Sequence, residues 1–170
     1  MRRIPIVLML AVLAAALSAC PPELAQRGVQ APQFEIVPDR PAELRILPPS
    51  AERPFGALAV RLWARVTNPN PYGMTLLRVW GDLNLEGTRA AEVDFPLGVP
   101  LPARGEAIVP LDVIVDPRDV PEIAPVVTRA ILGQHIGYEL VGRFTVDAGA
   151  LGTPTFGPMT LLSGTMQTRR

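Results

Sequence analysis

The stretch that decides the fold is residues 57–86, which read ALAVRLWARVTNPNPYGMTLLRVWGDLNLE. In its first part, apolar residues alternate with arginine, tryptophan and threonine. This period of two is typical of a half-buried β-strand, because successive side chains of a strand point to opposite faces. The pattern therefore predicts a strand whose inward residues are Val60, Leu62, Ala64 and Val66.

A turn is predicted next, at Asn68-Pro69-Asn70-Pro71-Tyr72-Gly73. The prolines withhold backbone donors, and Asn and Gly accept backbone conformations that most residues avoid. A second strand is predicted from about Met74 to Glu86. Its inward residues would be Leu77, Val79, Leu83 and Leu85, and its outward residues Arg78, Trp80, Asp82, Asn84 and Glu86.

The sequence on either side of this pair predicts further strands. They are Leu44–Leu47 at an edge, a short segment at Ala90–Phe95, and Ile108–Val115, Ile136–Ala148 and Thr155–Leu162, with a loop at Pro96–Gly105. The inward residues would be Val109, Leu111, Val113 and Val115 in one strand and Tyr138, Leu140, Phe144 and Val146 in another. The predicted fold is mainly β: a fibronectin-III/immunoglobulin-like β-sandwich of six to seven strands with one short helix.

That helix is predicted where the period of the apolar residues changes, between Asp119 and Leu132. Asp119 and Glu122 have the spacing of a capping box. Pro125 is unfavourable inside a helix, so the regular helix is expected to begin only there, after a 3₁₀ turn. Gly133 would end the helix, because glycine accepts a left-handed conformation.

The first residues predict a secretory targeting segment. Met1-Arg2-Arg3 precedes an apolar run from Ile4 to Leu17 of about 14 residues, shorter than the ~20 that a transmembrane helix needs. Residues 1–19 are therefore predicted to be a signal peptide. Leu17-Ser18-Ala19-Cys20 is similar to the lipobox of bacterial lipoproteins, in which the cysteine becomes the lipid-modified first residue. The alternative is that Cys20 merely ends a signal cut nearby.

Residues 20–41 are predicted to be a lipid-anchored, proline-rich tether. Eight prolines lie between residues 21 and 54, and proline stiffens an extended chain. At ~3.1 Å per residue the tether could hold the domain on the order of 60 Å from the lipid. The sandwich domain would occupy residues 42–165 and a tail residues 166–170. By similarity to the lipoprotein sorting rule, Pro21 predicts the outer membrane, facing the periplasm, if the host has two membranes.

The composition excludes several classes of function. The 16 basic residues, all arginine, balance 16 acidic residues, which gives no reason to expect a nucleic-acid partner. Removal of residues 1–19 would leave a net charge of −2. The absence of lysine excludes Schiff-base chemistry, and the single His and single Cys exclude a Cys/His zinc site and an internal disulfide. We therefore predict no enzymatic activity, no metal and no cofactor.

Two weaker candidates for chemistry have simpler interpretations. His135 could be a general base, but no nucleophile stands at a fixed spacing, so a turn histidine is the preferred interpretation. Asp112, Asp116 and Asp119 form a loose acidic series that could hold calcium. The series lacks the glycine and terminal glutamate of a calcium-binding loop, so a solvated strand end and a helix cap are preferred.

The string from Arg65 to Tyr72, with Leu76 to Gly87 after it, resembles the late embryogenesis abundant group 2 family, also called the water-stress and hypersensitive-response (WHy) domain. The Asn-Pro-Asn-Pro turn between two amphipathic strands is the specific part, supported by Pro110–Val115 and Gly137–Gly142. The resemblance covers roughly residues 41–162. It implies a fibronectin-III-like sandwich associated with desiccation and other stresses, without enzymatic activity.

The turn motif Asn68, Pro69, Asn70 and Pro71 has a structural explanation of its own. Asn side chains can cap backbone donors, and prolines lower the entropy of the unfolded turn. A ligand-binding role for Asn68 or Asn70 is the alternative.

Trp63 and Trp80 are candidates for an interaction surface. By alternation they share polar faces with Arg61, Arg65 and Arg78, in strands expected to be adjacent. Exposed tryptophan and arginine combine rigid apolar area with forked donors, which is favoured at interaction surfaces. The alternative is that each ring packs across the strand pair or under the helix.

We therefore expect a non-enzymatic envelope lipoprotein, attached to the membrane by a lipid on Cys20. Its domain would protect client proteins or lipid surfaces during desiccation or oxidative stress by offering edge strands and exposed side chains. The alternative is an envelope binding or assembly module with one dedicated protein or lipid partner.

Overall fold

The computed structural model describes residues 28–51, 53–116 and 120–168. Its strands are β1 (Gln33–Ile36), β2 (Glu43–Leu47), β3 (Ala57–Thr67), β4 (Met74–Leu85), β5 (Thr88–Leu101), β6 (Glu106–Val115), β7 (Ile136–Asp147) and β8 (Thr155–Thr168). Helix α1 spans Ala124–Ile131, and 3₁₀ turns span Pro121–Ile123 and Gly149–Leu151. Among these residues no helix is long and apolar enough to cross a bilayer.

The strands form two layers that meet along one side. In the first layer β3 pairs antiparallel with β6 on one edge, and with β1 and then β2 along the other. In the second layer the order is β5, β4, β7 and β8, all antiparallel. A short parallel pairing of β2 with β8 joins the layers. The prediction of a mainly β, sandwich-like fold with one short helix is confirmed, with eight strands in place of six or seven.

The core lies between the two layers, where the predicted alternation holds on three strands. The inward residues predicted for β3, β6 and β7 are all buried in one apolar cluster. Phe144 of β7 is fully buried and its ring lies 4.9 Å from that of Phe34 in β1 and 5.3 Å from that of Phe156 in β8. This aromatic group holds β1 against the second layer.

The face prediction for β4 is wrong at one residue. Leu77 is 36% exposed, and Leu76 is buried in its place. The pairing of β4 with both β5 and β7 shifts register between Leu76 and Arg78. A bulge of this kind adds one residue to the strand and resets the alternation, so Val79 points inward three residues after Leu76.

Three further boundaries differ from the predictions. The predicted loop Pro96–Gly105 is mostly strand, because β5 continues to Leu101. The domain also begins before residue 42 and ends after residue 165. Val29 is buried, β1 pairs with β3, and Met166 at the end of β8 is buried. Only residues before Gly28 lie outside the described fold on the N-terminal side, so the predicted tether is too long.

Helix α1 follows the predicted pattern. A 3₁₀ turn at Pro121–Ile123 precedes the regular helix, which begins at Ala124, one residue before Pro125. Gly133 follows the helix with φ of 70°, a conformation that glycine adopts without strain. No side chain caps the N-terminus of either segment, and Asp119, the predicted cap, lies outside the described residues.

The strand directions define two ends of the sandwich. At one end, called here the turn end, lie the connections 68–73, 102–105 and 148–154 together with the incoming chain at Gly28. At the other, the helix end, lie the β4–β5 turn at residues 86–87, α1 and residues 132–135. The candidate sites divide between these two ends and the outer faces of the layers.

Candidate functional site

Asn68 lies at the centre of the turn end and is fully buried. Its side-chain nitrogen donates to the carbonyl oxygens of Tyr72 at 2.8 Å, Pro102 at 2.9 Å and Leu101 at 3.3 Å. Its backbone N–H donates to the carbonyl of Gly105 at 2.8 Å. One side chain therefore ties the β3–β4 connection to the β5–β6 connection.

Asn70 extends the same network to the incoming chain. Its side-chain oxygen accepts from the backbone N–H of Gln30 at 2.8 Å, and its side-chain nitrogen donates to the carbonyl of Gln30 at 2.8 Å. Its backbone N–H and its side-chain nitrogen also donate to the side-chain oxygen of Asn68, at 2.9 Å and 3.0 Å. The Tyr72 hydroxyl donates to the carbonyl of Gly28 at 2.6 Å.

The amide groups of both asparagines are thus engaged by the protein itself. A buried polar group is costly unless it is hydrogen-bonded, and these two are bonded on both oxygen and nitrogen. This geometry supports the structural interpretation of the motif. The role differs from a simple turn cap, since the asparagines join three separate segments of the chain.

The two tryptophans lie on different layers, so the prediction that their strands are adjacent is wrong. Trp63 is on β3 and Trp80 on β4, and these strands do not pair with each other. The Asn68–Tyr72 connection carries the chain from one layer to the other, which sequence alternation alone cannot show. Both rings point outward and are half-buried.

Trp80 lies on the outer face of the second layer, where the neighbouring charged groups are paired with each other. The guanidinium of Arg78 lies 5.3 Å from the ring centroid. That guanidinium also makes a two-pronged ion pair with Asp94, at 2.6 Å and 2.5 Å. The hydrogen bond from Arg78 holds the pKa of Asp94 below its ordinary value, and the same bond raises the pKa of Arg78. The charged group next to Trp80 is therefore already neutralised.

Trp63 borders a cavity of about 620 Å³ at the junction of the two layers. Its ring has the guanidinium of Arg40 at 4.8 Å from the centroid, and that of Arg61 at 5.9 Å. The lining side chains that carry polar groups include Asp39, Arg40, Glu43, Trp63, His135 and Gln167. This cavity, called here the Trp63 cavity, lies beside the short parallel pairing of β2 with β8.

The charged groups of the Trp63 cavity are less saturated than those near Trp80. Within residues 28–51, 53–116 and 120–168, neither Arg40 nor Asp39 has a side-chain hydrogen bond or an ion pair, and the ring N–H of Trp63 donates no hydrogen bond. Glu43 is paired with Arg45 at 2.9 Å. A guanidinium stacked on an indole keeps its N–H edges free, so this cavity can bind a group that offers acceptors.

Arg61 and Arg65, predicted as surface residues, are engaged by neighbouring strands. Arg61 makes a two-pronged pair with Asp112 at 2.5 Å and 3.0 Å, and that hydrogen bond raises the pKa of Arg61. Arg65 lies 3.6 Å from Glu106. These pairs position β6 against β3 and leave Arg40 as the available cation near Trp63.

His135 is exposed, and its ring lies 2.7 Å from the side-chain nitrogen of Gln167. It lines the Trp63 cavity beside Gln167, which lies near the end of β8. In the acidic series, Asp112 is paired with Arg61 and Asp119 lies outside the described residues. In the part of the chain that the structure describes, no cluster of His, Cys, Asp or Glu is arranged to hold a metal ion.

Sequence reasoning missed Asp39 and Arg40 because both fell in the predicted tether. The hydrogen-bonded return of residues 37–40, in which Arg40 N–H donates to Val37 at 3.0 Å, brings them beside Trp63. Pro38 and Pro41 flank this return and could have indicated a turn, since proline favours turn positions. Cys20, the predicted lipidation site, lies outside the described residues.

A family model described as late embryogenesis abundant protein matches residues 64–160, more than half of the chain. The chain belongs to the late embryogenesis abundant protein family. No curated protein sequence matches it. The match includes the Asn68–Tyr72 turn and Trp80, whereas Trp63, Asp39 and Arg40 lie before it.

Solved structures agree on the fold of this late embryogenesis abundant domain. The solution structure of an Arabidopsis thaliana protein is similar with a TM-score of 0.59 at 17% identity, over 84% of this chain and 85% of that one. A second solution structure, of a protein described as late embryogenesis abundant, has a TM-score of 0.52 at 16% identity, over 94% of this chain and 84% of that one. At these identities the likeness concerns the fold alone.

Proposed function

We propose that this chain is a non-enzymatic, lipid-anchored envelope protein whose WHy-type domain protects partly unfolded proteins during desiccation or oxidative stress. Membership of the late embryogenesis abundant family supports the stress-related role. The lipobox at Leu17-Ser18-Ala19-Cys20 supports the anchor and the envelope location. The Trp63 cavity is the feature that carries the binding role.

The chemistry of the Trp63 cavity suits a segment of polypeptide. An unfolded chain offers carbonyl acceptors to Arg40, amide donors to Asp39 and apolar side chains to the Trp63 ring. Arginine and tryptophan are enriched among residues that dominate binding energy at protein interfaces. A shallow site of mixed character accepts many sequences weakly, which is what a protective protein requires.

Edge-strand pairing, the other expected binding mode, is disfavoured. Among the described strands β5 pairs only with β4, and β6 only with β3, so each presents one free edge. Pro96 and Pro100 lie in β5 and Pro110 lies in β6. Proline withholds a ladder donor and is one of the ways in which natural proteins prevent an edge from pairing with another chain. The prolines therefore disfavour pairing at these two edges, and we place client binding in the Trp63 cavity.

The test compares two tryptophans in one aggregation assay. The mature chain should suppress aggregation of a heat-labile client protein, and Trp63→Ala should lose most of that suppression, by about fivefold or more in the concentration required. Trp80→Ala is the matched control, because Trp80 is also half-buried under an arginine but borders a saturated ion pair. Equal loss in both variants, with both folded by circular dichroism, would contradict a role for the cavity.

A pull-down from detergent-solubilised envelopes separates the proposal from its alternative. Many substoichiometric partners are expected for a protective protein. A single partner at one-to-one stoichiometry, lost in Trp63→Ala, would show a dedicated assembly module instead.

A further inference from the structure

The incoming chain enters the domain at the turn end and is held there by hydrogen bonds. Gly28 accepts from the Tyr72 hydroxyl, and Gln30 exchanges two hydrogen bonds with the Asn70 side chain. Val29 between them is buried. The point at which the N-terminal segment leaves the fold is therefore fixed to the connection at residues 68–73.

The covalent distance from that point to the proposed lipid is short. Cys20 and Gly28 are eight positions apart, with seven residues between them. A fully extended chain spans at most ~3.3–3.6 Å per residue, so the segment can reach about 28 Å. This is about half of the reach expected for a tether that ends at residue 41.

The turn end also differs in charge from the helix end. Of the residues in the connections 68–73, 102–105 and 148–154, Arg104 alone is charged. Exposed residues there are small or apolar and include Pro71, Ala103 and Leu151, the last 38% exposed. By contrast, the helix end carries the exposed Glu122 and the ion pair of Glu86 with Arg129. At the adjoining strand ends Asp147 accepts from the Gly149 N–H at 2.8 Å and Glu106 lies 3.6 Å from Arg65, so Arg104 is the charged loop residue available to anionic headgroups.

We propose that the turn end is the membrane-facing surface of the anchored domain, and that its partner is the phospholipid headgroup layer of the bilayer that holds the Cys20 lipid. This rests on the lipid anchor of the proposed function. The short segment holds the turn end near the bilayer, and Pro71, Ala103 and Leu151 contact the interface around Arg104. The Trp63 cavity, whose wall includes His135 and Gln167 toward the helix end, then faces away from the membrane and stays accessible to clients.

The test uses the fact that Cys20 is the single cysteine of the chain. Once that thiol carries lipid, an introduced cysteine is the one free thiol. Ala103→Cys and Ala150→Cys report the turn end, and Ala124→Cys at the exposed start of α1 reports the helix end. Each lipidated full-length mature variant is labelled with the fluorophore NBD and reconstituted in phosphatidylethanolamine/phosphatidylglycerol vesicles that contain a headgroup spin-labelled lipid.

Quenching at positions 103 and 150 is expected to exceed that at position 124 by at least threefold. Equal quenching at all three positions, in protein whose mass shows the lipid, would overturn the orientation and leave the anchor intact. An unmodified Cys20 by mass spectrometry would overturn the anchor and the orientation together. Arg104→Glu should reduce quenching at position 103, because it replaces the cation by an acid against the anionic headgroups, and the unlabelled parent protein gives the background.

Discussion

The Asn68–Tyr72 turn and the Trp63 cavity are both rich in polar groups, yet one is closed and the other open. In the turn, both buried asparagine side chains are bonded at their oxygen and nitrogen, and they join three segments of backbone. In the cavity, Arg40 and Asp39 have no ion-pair partner within the described residues. The contrast indicates where this molecule uses polar chemistry for stability and where it leaves that chemistry available for binding.

The family match divides along the same line. The turn lies inside residues 64–160, and Trp63, Arg40 and Asp39 lie before them. A buried hydrogen-bond network of this kind can serve any protein with the same sandwich, whatever it binds. Asp39 and Arg40 reach the cavity because the segment between β1 and β2 returns beside β3, a part of the fold that the family match does not include.

Asn68→Ala is expected to have the largest effect, because it removes three donor contacts and leaves buried carbonyl groups without partners. Each unsatisfied buried polar group costs about 1–3 kcal/mol, so the free energy of unfolding should fall by about 3 kcal/mol or more. Denaturant titration measures this. Asn84→Ala, on the outer face of β4, is the matched control and should cost less than about 1 kcal/mol. A loss at Asn68 no larger than at Asn84 would show that the turn is not closed in solution.

Sequence reasoning succeeded where a local pattern has one structural meaning. Alternation placed the inward faces of β3, β6 and β7 correctly, and Pro125 together with Gly133 located the helix. The same reasoning assigned Asn68 and Asn70 to structure because Asn-Pro repeats suit turns. It could not show that Asn70 bonds to Gln30, since that contact joins residues forty positions apart.

It failed where pairing in three dimensions decides the outcome. The bulge at Leu77 depends on both partners of β4, and nothing local in the sequence marks it. The proline count indicated an extended chain, which can be a tether or a strand, and it did not indicate the hydrogen-bonded turn at residues 37–40. The packing of Phe34 on Phe144 shows that this part of the chain is strand β1 of the domain. Arg40 was therefore absent from the predicted site.

A second closed network, at the helix end, sharpens the comparison through its dependence on pH. Glu86 accepts from the Gly137 N–H at 2.5 Å and from Arg129 at 2.7 Å. The backbone hydrogen bond from Gly137, followed by the bond from Arg129, lowers the pKa of Glu86 below its ordinary value of 4.5. A depressed folded-state pKa adds stability that is fully present above about pH 4.5 and is lost as the pH falls through the folded-state pKa.

Glu86→Gln should therefore flatten the decline in unfolding free energy below about pH 4.5, whereas Asn68→Ala should lower stability by the same amount at each pH. Denaturant titrations between pH 3 and pH 7 measure both slopes. Glu122→Gln is the control, because Glu122 is exposed at the same end of the domain. Identical acid slopes for the parent and for Glu86→Gln would show that the Glu86 carboxylate is not held in this network.

Arg40→Ala should have the smallest effect on stability and a clear effect on Trp63. An exposed cation over an aromatic ring contributes no more than about 1 kcal/mol, so the denaturation midpoint should hardly move. Removal of the guanidinium uncovers the ring, so acrylamide quenching of Trp63 should increase in a Trp80→Phe background. Suppression of client aggregation should fall in the same variant. Arg78→Ala in a Trp63→Phe background is the matched control. It should suppress client aggregation as well as that background does, because Arg78 is ion-paired with Asp94 and does not contact a client. If Arg40→Ala instead destabilised the domain as much as Asn68→Ala does, the cavity would be part of the closed framework, and binding would have to be sought on another surface.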